Sequence, residues 1–269
     1  MSLHIITVAT KYDVGYLPNL EKGCIREGVT LNILGLGQKW TGFAMKYNLL
    51  REFIKTLPKT DIIIFVDGYD VLLLNLDNIV SKFKSFKKPI VVSSENQNVD
   101  FLLSYFKNRI FYGAQNTGCY MGYVWGFEKF FEFYCSEFDC MDNSLDDQRT
   151  MGWLLYHSKN KNKVQNLIAI DTDMKIFYTI EFKFQDRDIE IKGTPNFVHG
   201  PGNTNMDSLV EKYKLQSLPT DKRKEYMSIS QLNNKYSKFF IPELVILITT
   251  IIIIILIVNS VLVLRKNQR

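Results

Sequence analysis

Cysteine, histidine and proline are scarce, with 4, 3 and 7 residues in a chain of 269. Cys24, Cys119, Cys135 and Cys140 show no C-x-x-C spacing and no zinc pattern, which excludes a metal site built of thiolates. They read as reduced, partly buried thiols of a reducing compartment. No asparagine begins an N-x-Ser/Thr sequon. No repeat of solenoid length occurs. The net charge of +5 comes partly from lysine-rich segments near 82–88, 159–163 and 222–238. No aromatic residues interleave with them as a stripe, so they read as solvated surface and not as a nucleic-acid interface. The run Leu34-Gly35-Leu36-Gly37 lacks G-x-G-x-x-G spacing, which excludes a dinucleotide fingerprint.

What the chain has is 46% hydrophobic and 13% aromatic content, enough for one sizeable core and too short for a second large domain. Strands are expected at 3–9, 30–34, 62–66, 90–93 and 119–125, with shorter ones near 167–170 and 175–178. Helices are expected at 17–27, 46–57, 76–85, 128–137 and 146–157. Such alternation implies an α/β domain with a mostly parallel sheet covered on both faces. The domain is expected over 1–215, followed by a polar stalk rich in Lys, Asn and Ser at 216–240. Residues 241–264 are almost unbroken apolar sequence, containing Ile251-Ile252-Ile253-Ile254-Ile255. At about 1.5 Å per residue a helix of that length exceeds a bilayer core of roughly 30 Å, so a single C-terminal transmembrane helix is expected, with a short basic tail at 265–269. The opening residues, Met-Ser-Leu-His-Ile-Ile-Thr-Val-Ala-Thr, read as the first strand and not as a signal peptide. Insertion after translation, with the domain facing the cytosol, is the matching expectation. Basic residues flank the apolar run on both sides, so the positive-inside rule does not orient it.

The most informative stretch is Ile62-Ile63-Ile64-Phe65-Val66-Asp67-Gly68-Tyr69-Asp70. Its apolar run fits a strand buried on both faces, and two carboxylates follow where that strand ends. Ligands of open α/β sheets bind beyond the carboxyl ends of strands. A turn at Gly68 would let Asp67 and Asp70 converge, and paired carboxylates suit a hard divalent cation that in turn holds phosphate oxygens. The alternative is a strand-end turn whose carboxylates only cap a loop.

From residue 3 to about 215 the chain resembles the glycosyltransferase domain of the procollagen-lysine hydroxylase/glucosyltransferase family. The resemblance rests on residues 5–10, Leu34-Gly35-Leu36-Gly37 with Trp40 and Gly42, residues 65–71, and Asn116-Thr117-Gly118 with Gly122-Tyr123. It continues through Asp146-Asp147-Gln148, Asp171 with Lys175-Ile176-Phe177, and residues 198–204. The hydroxylase part of those larger enzymes has no counterpart. The resemblance implies a GT-A type single domain in which Asp67, Asp70 and His199 hold the cation. A mixed carboxylate and imidazole set favours Mn²⁺ over Mg²⁺. The implied donor is a UDP-hexose, carrying glucose or galactose. The implied acceptor is a hydroxyl on a protein or glycan, such as a hydroxylysine-linked one. Thr7, Thr10, Trp40 and Tyr69 would hold the nucleoside.

Gly200 and Gly202 would let backbone N–H groups approach a phosphate, or form an ordinary loop. Where relatives carry a lysine for the diphosphate, this chain has Asn205, and Lys46 matches another basic position of the family. Asp146, Asp147 and Asn116 would contact the sugar or the acceptor hydroxyl. By local rules alone, Ser144-Leu145-Asp146-Asp147 reads as a capping box and Asn116-Thr117-Gly118 as a turn. Two other classes stay open: a non-catalytic binding protein for sugar nucleotides or glycans in the membrane, and a metal phosphoesterase, for which one histidine and two carboxylates are few.

Overall fold

The apolar run at 62–66 forms a strand that ends on the first carboxylate, and this strand lies inside a six-stranded sheet. The structure, a computed structural model, describes residues 1–95, 114–180, 189–202, 204–216, 248–253 and 256. In chain order the strands are β1 (Leu3–Val8), β2 (Leu31–Leu34), β3 (Ile62–Asp67), β4 (Val71–Leu73), β5 (Ile90–Ser94), β6 (Gln115–Tyr123), β7 (Ile168–Asp171), β8 (Phe177–Thr179) and β9 (Phe197–His199). The helices are α1 (Leu17–Arg26), α2 (Met45–Ile54), α3 (Ile79–Ser85), α4 (Val124–Glu137), α5 (Asp147–Tyr156), α6 (Lys161–Leu167) and α7 (Asp207–Lys212). The large sheet runs β2-β1-β3-β6-β5-β7 and the small one β4-β9-β8. β1 is parallel to β2 and β3, and β5 to β7, while β6 is antiparallel to both its neighbours. The fold is mixed α/β around a mostly parallel central sheet.

Side chains of β3 alternate between two cores, as successive residues of a strand must. Ile63 and Phe65 pack with Tyr47 and Leu50 of α2, Phe127 and Phe130 of α4, and Leu154 of α5. Ile62, Ile64 and Val66 pack on the other side with Leu17 and Leu20 of α1, Phe83 of α3, and Phe177 and Phe197 of the small sheet. A third cluster, including Leu72, Val198 and Leu209, seats α7 on that small sheet. The same alternation carries Asp67 to the side of α2 and α5.

Several expected boundaries move, each for a local reason. The helix expected at 46–57 ends at Ile54, where the N–H groups of Thr56 and Leu57 turn to the carbonyls of Phe53 and Ile54 in tighter turns, and Pro58 bars helical backbone at Leu57. The helix expected at 76–85 starts at Ile79, because Asn78 is left-handed with φ 55°. The strand expected at 119–125 runs instead from Gln115 to Tyr123, so Asn116-Thr117-Gly118 lies inside a strand and not in a turn. Val124 and Trp125 open α4, their N–H groups donating to the carbonyls of Asp61 and Lys59. Short elements without a full period, β4, β9, α6 and α7, are not apparent from sequence periodicity.

Two compact units divide the chain, Met1–Tyr226 and Met227–Arg269. In the second, residues 248–253 and 256 are helical, with Ile248, Ile251, Ile252, Ile253 and Leu256 exposed. No helix among the described residues is long and apolar enough to cross a membrane. The rest of the span expected at 241–264, and the stalk from 217 onward, lie outside the described residues.

Candidate functional site

Asp67 is the last residue of β3, and Asp70 sits just before β4. Gly68 between them does not have the left-handed backbone expected of a sharp turn. Its role is close approach: a Cβ there would lie 2.9 Å from Thr7 Oγ1 and 3.2 Å from the Val8 carbonyl oxygen. β9 pairs antiparallel with β4, placing His199 opposite Val71, and the Gly200 N–H donates to the Asp70 carbonyl at 2.8 Å. A histidine far down the chain is thereby delivered to the end of β3. One ligand atom from each of Asp67, Asp70 and His199 lies within 4.8 Å of the others. His199 Nε2 is 3.5 Å from Asp70 Oδ2. The imidazole packs closely over β6, because a Cβ on Gly118 would lie 2.2 Å from His199 Cε1.

Lys46, from the first turn of α2, reaches the same place and ties two elements together. Its ammonium lies 3.0 Å from Asp67 Oδ1 and 2.7 Å from Asp147 Oδ2 at the start of α5. Lys46 and Asp147 are buried, whereas the Asp67 side chain keeps 26% of its exposure. Burial pushes the Asp67 carboxyl up to about 6, against the Lys46 charge and with the help of Asp70. Burial also works against the Lys46 ammonium, but Asp147 and Asp67 outweigh it and hold its pKa above the ordinary lysine value. The His199 imidazole is likewise disfavoured as a cation by burial, yet Asp70, and after it Asp67, raise its pKa.

These residues fit a divalent cation. Asp67 and Asp147 share one ammonium, and Asp70 adds a third carboxylate beside His199, an excess of negative charge that burial makes costly. His199 is buried, and its Nδ1 has no hydrogen-bond partner among the described residues. An unsatisfied buried polar atom costs about 1–3 kcal/mol, which a ligand bond would relieve.

Of the neighbouring acidic pair, only Asp147 enters this cluster. Asp146 is the N-cap of α5, accepting from the Arg149 N–H at 2.9 Å, with its side chain 43% exposed. The capping box expected at Ser144 does not form; the Ser144 hydroxyl donates to Asp142 Oδ1 instead. Asn116 is buried and donates to Glu95 Oε1 at 3.1 Å, where Gln148 also donates at 2.8 Å. Gln148 belongs to the matched run Asp146-Asp147-Gln148, but neither it nor Glu95 was assigned a role from sequence. Gln148 follows the Asp pair directly, and Glu95 follows a strand end, the same position that marked Asp67.

The residues expected at the nucleoside are placed unevenly. Thr7 is fully buried, its hydroxyl donating to the Val66 carbonyl at 2.7 Å. The Tyr69 hydroxyl accepts from the N–H groups of Thr10 and Lys11 at 2.9 and 3.0 Å, which fixes the ring. Trp40 is exposed and meets Phe43 edge-on at 5.9 Å. The Gly200 N–H, already donated to Asp70, is not free for a phosphate; Gly202 has φ 71°. Asn205 Oδ1 accepts from the Asp207 N–H at 2.9 Å and so serves the start of α7.

The multifunctional procollagen lysine hydroxylase and glycosyltransferase of Caenorhabditis elegans is 24% identical over 225 residues, covering 75% of this chain. The chain spans only 29% of that protein's length. Among solved structures, a glycosyltransferase involved in glycosylation of the major capsid of PBCV-1 aligns over 80% of this chain and all of its own, at 10% identity and TM-score 0.45. The glycosyltransferase GlyE of Streptococcus pneumoniae TIGR4 aligns over 88% of this chain and 64% of its own, at 12% identity and TM-score 0.42. The model of the PLOD GT domain matches residues 1–210, which include every residue of the cluster described above. The chain therefore belongs to the PLOD GT domain family, a family of glycosyltransferase domains.

Proposed function

We propose that the domain is a metal-dependent glycosyltransferase that moves a hexose, glucose or galactose, from a UDP-sugar to a hydroxyl of a protein or glycan acceptor. The observation that supports it best is the approach of Asp67, Asp70 and His199 to within 4.8 Å at the end of a buried strand, in a chain of this family. A divalent cation bound there would neutralise the diphosphate as the glycosidic bond breaks, and the mixed ligand set favours Mn²⁺. Lys46 keeps Asp67 charged and fixes Asp147, which with Asn116 would face the donor sugar. Tyr69, its hydroxyl pinned, and Trp40 would hold uridine by stacking, worth roughly 1–3 kcal/mol per base. Gly202 is the remaining glycine candidate for the diphosphate. On hydropathy alone, residues 241–264 would attach the domain to a membrane.

One observation favours a second reading, sugar-nucleotide binding without transfer. Lys46 is committed to two carboxylates, and Asn205, where relatives carry a lysine, serves α7. No dependable basic clamp for the diphosphate is then evident among the described residues. A screen of nucleotide sugars with Mn²⁺ separates the two. Release of UDP from a UDP-hexose supports transfer, and metal-dependent binding without release supports the second reading. The absence of both would overturn the assignment.

A further inference from the structure

The loop that carries Trp40 is tied to the start of α5 by a residue outside every motif of the chain. Asn143, half-buried just before α5, uses both ends of its side chain and its carbonyl. Its Nδ2 donates to Thr41 Oγ1 at 2.9 Å, and its Oδ1 accepts from Asn48 Nδ2 of α2 at 2.6 Å. Its carbonyl accepts from the Ala44 N–H at 3.2 Å, a donor shared with the Leu145 carbonyl at 3.0 Å. Gly42 passes directly over that carbonyl: its φ is 140°, and a Cβ there would lie 2.0 Å from the Asn143 oxygen. Inside the tied segment, Phe43 meets Trp40 edge-on, and its ring lies 5.8 Å from the Lys46 ammonium. The two segments run on into Lys46 and Asp147, whose own contact is 2.7 Å. Trp40 is exposed, so its place depends on how the backbone of this loop is held and not on core packing. Tyr69, by contrast, is fixed separately, its hydroxyl accepting from the N–H groups of Thr10 and Lys11.

We propose that Asn143 is a positioning residue for the nucleoside: it fixes residues 40–44 against the start of α5, so that Trp40 is already in place to stack on the base. The inference rests on the proposed function, in which Trp40 and Tyr69 hold uridine. A loop ordered before binding spares the complex the entropy of ordering it, which is where preorganisation adds affinity. Releasing the loop therefore weakens nucleotide binding, while Asp67, Asp70 and His199 keep their places on β3, β4 and β9. The bonds to Thr41 and Asn48 are made by side chains, so they can be removed without touching the backbone pairing at Ala44.

The test is calorimetric titration of the full chain, first with Mn²⁺ alone and then with UDP at saturating Mn²⁺. Asn143→Ala should weaken UDP binding roughly tenfold and leave the Mn²⁺ affinity within about twofold of wild type. Thr41→Val removes only the acceptor of the Asn143 amide, at an exposed position, and should weaken UDP binding about threefold. Thr41→Ser keeps the hydroxyl and should bind as the wild type does. Because Asn143 acts through Trp40, Asn143→Ala should cost no further affinity when added to Trp40→Ala. Melting curves establish that each variant is folded, and if Asn143→Ala is not, the contrast between Thr41→Val and Thr41→Ser decides. A parallel fall in Mn²⁺ affinity, or a loss that persists in full beside Trp40→Ala, would make Asn143 a merely structural residue and overturn the proposal. Wild-type UDP affinity in Asn143→Ala overturns it as well and leaves the proposed function standing. A wild type that binds no UDP with Mn²⁺ overturns the nucleotide reading itself, and this inference with it.

Discussion

At Gly118 the missing side chain gives His199 its place, since a methyl group would lie 2.2 Å from the imidazole. Gly118→Ala should cost about 1–3 kcal/mol as an overpacked core position and tilt the ring away from Asp70. The expected readout is a Mn²⁺ affinity at least about tenfold weaker, with a folded spectrum, by calorimetric titration. An unchanged affinity would remove His199 from the ligand set. Protonation gives a second handle on the same residues. Asp67 has a folded pKa of about 6, above its unfolded value of 3.8, so the folded protein holds a proton between those values that the unfolded chain has released. Through this group the metal-free fold gains stability as pH falls through 6 and loses it as pH rises. His199, also raised, contributes with the same sign: stability present below about 6.5 and lost above its folded pKa. A cation competes with both protons, so Mn²⁺ affinity should fall by roughly tenfold per pH unit while His199 alone is protonated and by roughly a hundredfold per unit below 6, where Asp67 is protonated as well. Titrations at several pH values check this, and a flat profile would show that Asp67 is not a ligand. The two carboxylates were legible because they follow a buried apolar run. The spacer role of Gly118 was not, since it depends on a strand pairing that brings a distant histidine overhead.

Among elements, Lys46 joins α2, β3 and α5, and this junction decides between two roles for the lysine. As a phosphate clamp, Lys46→Met would weaken donor binding and leave the fold nearly unchanged. As the counter-charge of Asp67 and Asp147, its removal strands the buried Asp147 carboxylate and the half-buried Asp67, at a cost of about 3 kcal/mol. We expect the second outcome in metal-free melts, with part of the loss recovered on adding Mn²⁺. A metal-free melting temperature within about one degree of wild type would restore the clamp role. The order of strands and helices was readable from periodicity, because α1, α2, α4 and α5 each present a full apolar face. The small sheet was legible only in part: the strand expected near 175–178 forms as β8, but β4 and β9 are three residues each, too few to show alternation. Without that sheet the route of His199 stays hidden: only the β4–β9 pairing sets the ring beside Asp70.

At the scale of the whole molecule, the balance of charge predicts the order in which ligands bind. Among the described residues, Asp67 and Asp147 share the ammonium of Lys46 while Asp70 lies beside His199, and neither Asn205 nor the Gly200 N–H is directed at a phosphate. A nucleoside diphosphate brought against that cluster alone would set like charges a few ångströms apart, which at low effective dielectric costs several kcal/mol. With a cation held by the same carboxylates, the repulsion becomes attraction. UDP should therefore stabilise the protein only when Mn²⁺ is present. At a ligand concentration about 100 times Kd the gain is roughly 2.7 kcal/mol, a rise of several degrees in Tm for a domain of this size. A melting series with UDP, Mn²⁺, both together, and both plus EDTA measures it. An equal shift from UDP without the metal would contradict the metal assignment. A shift from ADP or GDP with Mn²⁺, but none from UDP, would leave the cation in place and replace uridine as the nucleoside proposed for Tyr69 and Trp40.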